Sequence, residues 1–166
     1  MQTTDDPIVD GDDESLELSR FLPYQLSVVS NLVSKAFARR YETAFGLSIP
    51  EWRVMAVLGR YAPASSQDIC VRTAMDKAKV SRAVSRLVAA GTLTRRDNPA
   101  DQRQNLLALS RKGRGIYRQI VPLALAAERE VLDTLSPEEV RQLDALLTKL
   151  QNRAETMAPA AADGPD

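Results

Sequence analysis

The sequence predicts a mostly α-helical protein carrying one small β-hairpin. Three observations carry that prediction. Apolar residues recur at helical spacing through most of the chain. Hydroxyl caps and early prolines open these segments, and glycines close several of them. Between Leu93 and Leu109 the periodicity changes, around a polar, basic stretch with turn chemistry at Asn98-Pro99.

The elements follow in order. Helix one runs from about Pro23 to Ala44, with Leu26, Val29, Leu32, Val33, Ala36 and Phe37 on its apolar positions and Gly46 as its stop. Ser48-Ile49-Pro50-Glu51 opens helix two, Ser48 as cap and Pro50 in the first turn, continuing through Trp52, Met55 and Leu58 to Tyr61. Pro63 separates it from a short third helix over Ser66–Thr73. A turn at Ala74-Met75-Asp76 leads to helix four, about Lys77 to Ala90, ended by Gly91. The hairpin has Leu93 on its outgoing strand, Arg95 to Gln104 as its tip, and Leu106, Leu107 and Leu109 on its return strand. Ser110 caps a long helix from about Lys112 to Thr134, which Pro122 should kink. Ser136-Pro137-Glu138-Glu139 starts the last helix, which carries Val140, Leu143, Leu146, Leu147 and Leu150 to about Met157.

The chain's 166 residues suffice for one domain with a sizeable core. No apolar run is long enough to span a membrane, and the acidic start lacks the pattern of a signal peptide, so a cytoplasmic location is expected. The single cysteine, Cys70, cannot form an intrachain disulfide. The absence of histidine removes the commonest general base and metal ligand. No phosphate-cradling glycine loop or nucleophile motif is present. The sequence therefore argues against an enzyme, a metal site and a bound cofactor.

Net charge is zero, but its distribution is uneven. Residues 72–118 hold twelve Lys or Arg against three Asp or Glu, a balance of +9, and the remainder balances at −9. Such segregation gives one basic surface, suited to a polyanion. On helix four, Val80, Val84, Leu87 and Val88 form an apolar stripe, and Lys77, Lys79, Ser81, Arg82, Ser85 and Arg86 lie opposite. Two short helices joined by a tight turn, the second with a basic outer face, read as a helix-turn-helix. The second helix then enters the major groove of DNA.

The stretch LTRRDNPADQRQNLLALSRKG (Leu93–Gly113) resembles the wing of the MarR family of winged-helix transcription regulators. The family signature is an Asp-x-Arg pair at the wing tip, then Leu-Thr-x-x-Gly. Here Asp101 and Arg103 are followed by Leu109-Ser110 and Gly113, with Ser replacing Thr. Val80-Ser81-Arg82, Ser85-Arg86-Leu87-Val88 and Gly91 match the family's recognition helix.

The resemblance implies a winged helix-turn-helix core flanked by N- and C-terminal dimerisation helices. Residues 20–157 would form a single domain, with the winged helix-turn-helix over 48–111 and dimerisation helices over 20–46 and 112–157. Residues 1–19 and 158–166 would be disordered. Ser81, Arg82 and Arg86 would contact the groove or phosphates, and Arg95 and Arg96 phosphates. Arg103 would enter the minor groove, oriented by Asp101. The expected partners are a double-stranded operator, a second copy of the chain and a small-molecule effector.

Phe21–Leu58 resembles family members that control breakdown of aromatic acids, some of which sense coenzyme A thioesters. Trp52 and Met55 would supply an apolar wall, Asn31 a hydrogen bond, and Lys35, Arg39 and Arg40 a hold on an anionic group. The expected protein is a homodimeric repressor released by such a ligand. Two alternatives are a redox-responsive regulator acting through Cys70, and a winged-helix protein-interaction module without DNA binding.

Overall fold

The computed structural model describes residues 16–99 and 105–157. A 3-10 turn at Leu18–Arg20 precedes α1 (Leu22–Phe45) and α2 (Ile49–Tyr61). A two-residue strand β1 (Ala64–Ser65) leads into α3 (Ser66–Thr73) and α4 (Lys77–Ala89). The hairpin strands are β2 (Leu93–Asp97) and β3 (Asn105–Leu109), and α5 (Arg111–Leu132) and α6 (Pro137–Met157) complete the chain. The expected fold class, mostly helical with a small β-wing, is what the chain adopts.

Local chemistry sets the helix starts. Ser48 and Glu51 form a reciprocal capping box on α2, with Ser48 N–H and Oγ each donating to the Glu51 carboxylate at 2.7 Å. Ser65 and Asp68 repeat the device on α3. Asp76 caps α4, accepting from the Lys79 N–H at 2.7 Å. Ser110 caps α5, accepting from the Gly113 N–H at 3.0 Å. The link between α3 and α4 is tight enough to force Ala74 into the left-handed region, at φ 51°.

The core lies among α2, α3, α4 and the sheet. Val54, Met55, Ile69 and Val80 are wholly inaccessible, and Leu58, Leu87 and Leu107 nearly so. β3 is the central strand, with β1 and β2 antiparallel on its two sides. A ring stack ties α1 and α5 to this core. Trp52 on α2 lies 5.7 Å from Tyr41 of α1 and 5.9 Å from Tyr117 of α5, centroid to centroid. Burial pushes the Tyr41 hydroxyl up to about 12. Gly59 makes room for this stack, since a Cβ there would lie 2.3 Å from the Tyr117 ring.

Three features depart from expectation. Leu18 and Ser19, placed in a disordered segment, form a 3-10 turn with Arg20, closed by the Phe21 N–H on the Leu18 carbonyl. β1 was not anticipated, because two residues carry no periodicity. Arg95 and Arg96, assigned to the hairpin tip, belong to β2, with Arg95 paired opposite Leu107 and Arg96 opposite Leu106. α5 spans Arg111–Leu132 with Pro122 inside it, the single long helix that was expected. Asp101, Arg103, most of residues 1–19 and the tail 158–166 lie outside the described residues.

Candidate nucleic-acid interface

α4 presents the two faces its sequence encodes. Val80, Ala83, Val84 and Leu87 are buried, while Lys77, Lys79, Ser81, Arg82, Ser85 and Arg86 are all exposed. Burying Val80, Val84 and Leu87 stabilises by about 1.5–3 kcal/mol each, so the inner face holds the helix and the outer face is free to do something else. Lys79 has an ion pair with Asp76 at 3.0 Å. The Lys79 N–H bonded to Asp76 holds that carboxyl below the usual carboxylate range. Among the described residues, no carboxylate lies within 4.0 Å of the charged ends of Lys77, Arg82, Arg86, Arg95 or Arg96. With Lys79 alone of these cations in an ion pair, the exposed basic face keeps most of its field for an external anion.

The wing extends this face. Directly opposed residues in an antiparallel pair share a face, and neighbours along a strand alternate. Leu93 pairs with Leu109 on the core side, so Arg95, opposite buried Leu107, lies on that same side beyond the core's edge. There Arg95 and Lys77 line a cavity of about 520 Å³, with Ser66, Gln67 and Cys70 of α3. Arg96 lies on the other face. Consecutive arginines therefore serve two sides of the wing. Cys70 is half-buried rather than enclosed, packing on the core at one edge and bordering this cavity at the other.

A second groove, of about 250 Å³, separates the start of α2 from α4, with Ser48, Pro50 and Glu51 facing Lys79, Arg82 and Arg86. A third, of about 430 Å³, lies across the same α2 start, against α1. Lys35, Arg39 and Glu42 line it with Ser48, Ile49 and Pro50.

The structure divides the residues expected to hold an effector. Lys35 and Arg39 come together on the α1 groove. Arg40 is instead engaged by Glu130 of α5 in an ion pair. Asn31 is exposed on α1 and does not line that groove. Met55 has no accessible surface and belongs to the core, and Trp52 is taken up by the ring stack. Sequence reasoning missed Glu42, Ser66 and Gln67 as lining residues. For Ser66 and Gln67 a signal existed, since polar residues just after the Ser65 cap must lie at an exposed helix start.

The start of α5 is clasped to the end of α4. Ser110 Oγ donates to the Gly91 carbonyl at 2.7 Å and Lys112 Nζ to the Ala90 carbonyl at 2.8 Å. At the opposite end of the chain, α6 buries none of its residues. Leu143, Leu146, Leu147 and Leu150 on α6 are exposed, as are Leu22, Leu26, Val29 and Leu32 on α1. Among the described residues no three-membered group of His, Cys, Asp or Glu could hold a metal ion, and no helix is long and apolar enough to cross a membrane.

These features have counterparts in known proteins. The MarR family profile matches residues 45–104, from the end of α1 to the wing tip. The HTH-type transcriptional regulator BilQ of Clostridium symbiosum is 27% identical over 110 residues, which is 66% of this chain and 76% of that protein. A MarR/EmrR family transcriptional regulator from Acinetobacter sp. ADP1 superposes with a TM-score of 0.78 at 27% identity, covering 85% of this chain and 99% of its own. BpsR of Bordetella bronchiseptica, whose DNA binding is regulated by 6-hydroxynicotinic acid, superposes at 0.73 with 25% identity, covering 82% and 97%.

Proposed function

We infer from the MarR family profile over residues 45–104 and from the likeness to HTH-type and MarR/EmrR regulators that the chain is a DNA-binding winged-helix transcription regulator of the MarR family, and we propose that it is a homodimeric repressor released from its operator by a small aromatic acid or the coenzyme A thioester of one. The observation that carries the reading is the outer face of α4, where Lys77, Lys79, Ser81, Arg82, Ser85 and Arg86 are exposed together while the opposite face is locked in the core.

In this reading α4 lies in the major groove. Arg82 and Arg86, one helical turn apart, reach base edges or phosphates, and Ser81 and Ser85 hydrogen-bond beside them. Arg95 and Arg96 grip the backbone, and the wing tip, with Arg103 and Asp101, enters the minor groove. One such module covers few base pairs. The leucines of α6 and the apolar residues of α1 provide the surface for a second copy, and a dimer reads a pseudo-palindrome with half-sites about 34–36 Å apart.

The effector occupies the groove between α1 and the start of α2, its acid group held by Lys35 and Arg39. That groove shares Ser48 and Pro50 with the groove facing Arg82 and Arg86. A ligand on one side of this wall therefore acts on the mounting of the recognition helix on the other. The ligand must bind the DNA-incompetent arrangement more tightly, and a difference of about 1–3 kcal/mol changes DNA affinity about 5–150-fold. BpsR's response to an aromatic acid supports the ligand class.

The test begins by recovering genomic fragments that the protein retains at about 150 mM salt, near the physiological value. One recovered fragment is then titrated with protein in the presence of a panel of aromatic acids and their thioesters. A shifted midpoint with one member supports the reading. Failure to retain any fragment would refute operator binding. A midpoint moved only by an unrelated ligand would refute the effector class.

A further inference from the structure

A cavity of about 340 Å³ opens where the end of α2, the last residues of β3 and the first turns of α5 meet. It shares no residue with the basic face of α4 or with the α1 groove. Leu58, Gly59 and Leu109 give it apolar surface, Tyr117 an aromatic wall, and Arg114 and Arg118 two guanidinium groups. We propose that this cavity is a binding site for a single-ring aromatic carboxylate, separate from the groove between α1 and α2. The proposal goes beyond the effector reading of that groove and does not rest on it.

The walls are held in place. Tyr117 stacks on Trp52 at 5.9 Å and lies over Gly59, where a Cβ would meet its ring at 2.3 Å. Arg114 Nη1 donates to the Leu109 carbonyl at 2.7 Å. A guanidinium has five N–H donors, so most remain for a ligand. Arg114 and Arg118 are four residues apart on α5 and share one face. Like charges so placed repel. Among the described residues, no carboxylate lies within 4.0 Å of either group to relieve them. Two other grooves along α2 each include a carboxylate, Glu42 in one and Glu51 in the other, and this cavity includes none. A ligand carboxylate supplies the opposite charge, in the planar two-oxygen geometry that arginine pairs with best. The apolar surface and the Tyr117 ring favour a flat hydrocarbon body. The volume lies at the small end of the about 300–1,000 Å³ usual for ligand sites, which limits that body to one ring. Because Arg114 also holds Leu109, the last residue of β3, an occupant touches the root of the wing.

The test is calorimetric titration of the full chain with benzoate, with benzamide as its uncharged counterpart and inorganic phosphate as an anion without a ring. Benzoate is expected to bind, and the other two at least about 10-fold more weakly. Arg118→Gln should weaken benzoate by about 10-fold and keep the wild-type melting temperature, since Arg118 is exposed. Lys35→Gln with Arg39→Gln should leave this binding in place. Trp52, the only tryptophan, adjoins Tyr117, so its fluorescence should follow the titration in that double variant. Absence of benzoate binding would overturn the proposal, as would equal binding by Arg118→Gln. Benzamide matching benzoate would remove the arginines from the site, and phosphate matching it would remove the apolar wall; either overturns the proposal. Binding lost only in the Lys35/Arg39 variant would put benzoate in the α1 groove, overturning this inference and supporting the effector reading. Binding lost only in Arg118→Gln would support this site and leave the α1 groove without a part in holding benzoate.

Discussion

Gly113 approaches Thr92 so closely that a Cβ on it would lie 2.1 Å from the Thr92 carbonyl oxygen. Backbone on both sides leaves nothing flexible to yield. The contact sits inside the clasp made by Ser110 and Lys112 on the Gly91 and Ala90 carbonyls. It explains in physical terms why a hydroxyl, two free positions and a glycine follow the wing: the first turn of α5 is seated on the exit of α4.

Gly113→Ala is therefore expected to destabilise the protein by about 1–3 kcal/mol. For a chain of this size that lowers the melting temperature by about 3–10 °C. Scanning calorimetry measures it. A variant melting with the wild type would show that the two backbones separate freely.

The outer face of α4 behaves differently. Arg82→Glu should leave the melting temperature unchanged, because Arg82 is exposed and contributes no apolar contact to the core. The loss of operator affinity should correspond to about 1–3 kcal/mol or more. Arg96→Ala, if Arg96 meets a phosphate, should weaken all sequences alike and reduce the slope of log affinity against log salt by about 1. Fluorescence anisotropy across a salt series distinguishes the two effects.

Ala74 holds a left-handed conformation between α3 and α4. Such a conformation costs a non-glycine residue about 1–2 kcal/mol, partly offset because glycine loses more freedom on folding. Ala74→Gly should raise stability by up to about 1 kcal/mol, seen as a higher urea midpoint at constant slope.

Asp76 gives α4 a pH dependence of known sign. Its carboxyl is held low, first by the Lys79 backbone N–H. The associated stability is complete above the unfolded value of about 3.9, and is lost as pH falls through the lower folded value. Asp76→Ala should melt below the wild type at pH 7, and the two should converge under acid. A gap that persists at pH 2 would place the effect outside ionisation.

The leucines of α6 test the proposed dimer. Leu146→Asp with Leu150→Asp should halve the mass seen by sedimentation while retaining helical content, because neither residue is buried within the chain. Operator affinity should fall with it. An unchanged mass would remove these leucines from the proposed contact.

Much of this molecule was readable in its sequence, for identifiable reasons. The caps at Ser48 and Ser110 and the stripe on α4 are local, so boundaries fell within a residue or two of their observed positions. Arg95 and Arg96 were misplaced because a charged pair beside a turn looks like a tip, and only strand register reveals that they are rungs of a ladder. Arg40 resembled a ligand for an anion, but its partner Glu130 is ninety residues away in sequence. Trp52 and Met55 sit on a helix enclosed on several sides, and apolar periodicity does not say which side stays open.

The pleat of β2 assigns Arg95 and Arg96 to opposite faces, and Leu93 against Leu109 pins that assignment. Insertion of a single residue between Leu93 and Arg95 would exchange the two guanidinium groups and reverse the wing's polarity, whereas an insertion of two would preserve it. Evolution can therefore move positive charge along this strand only in even steps.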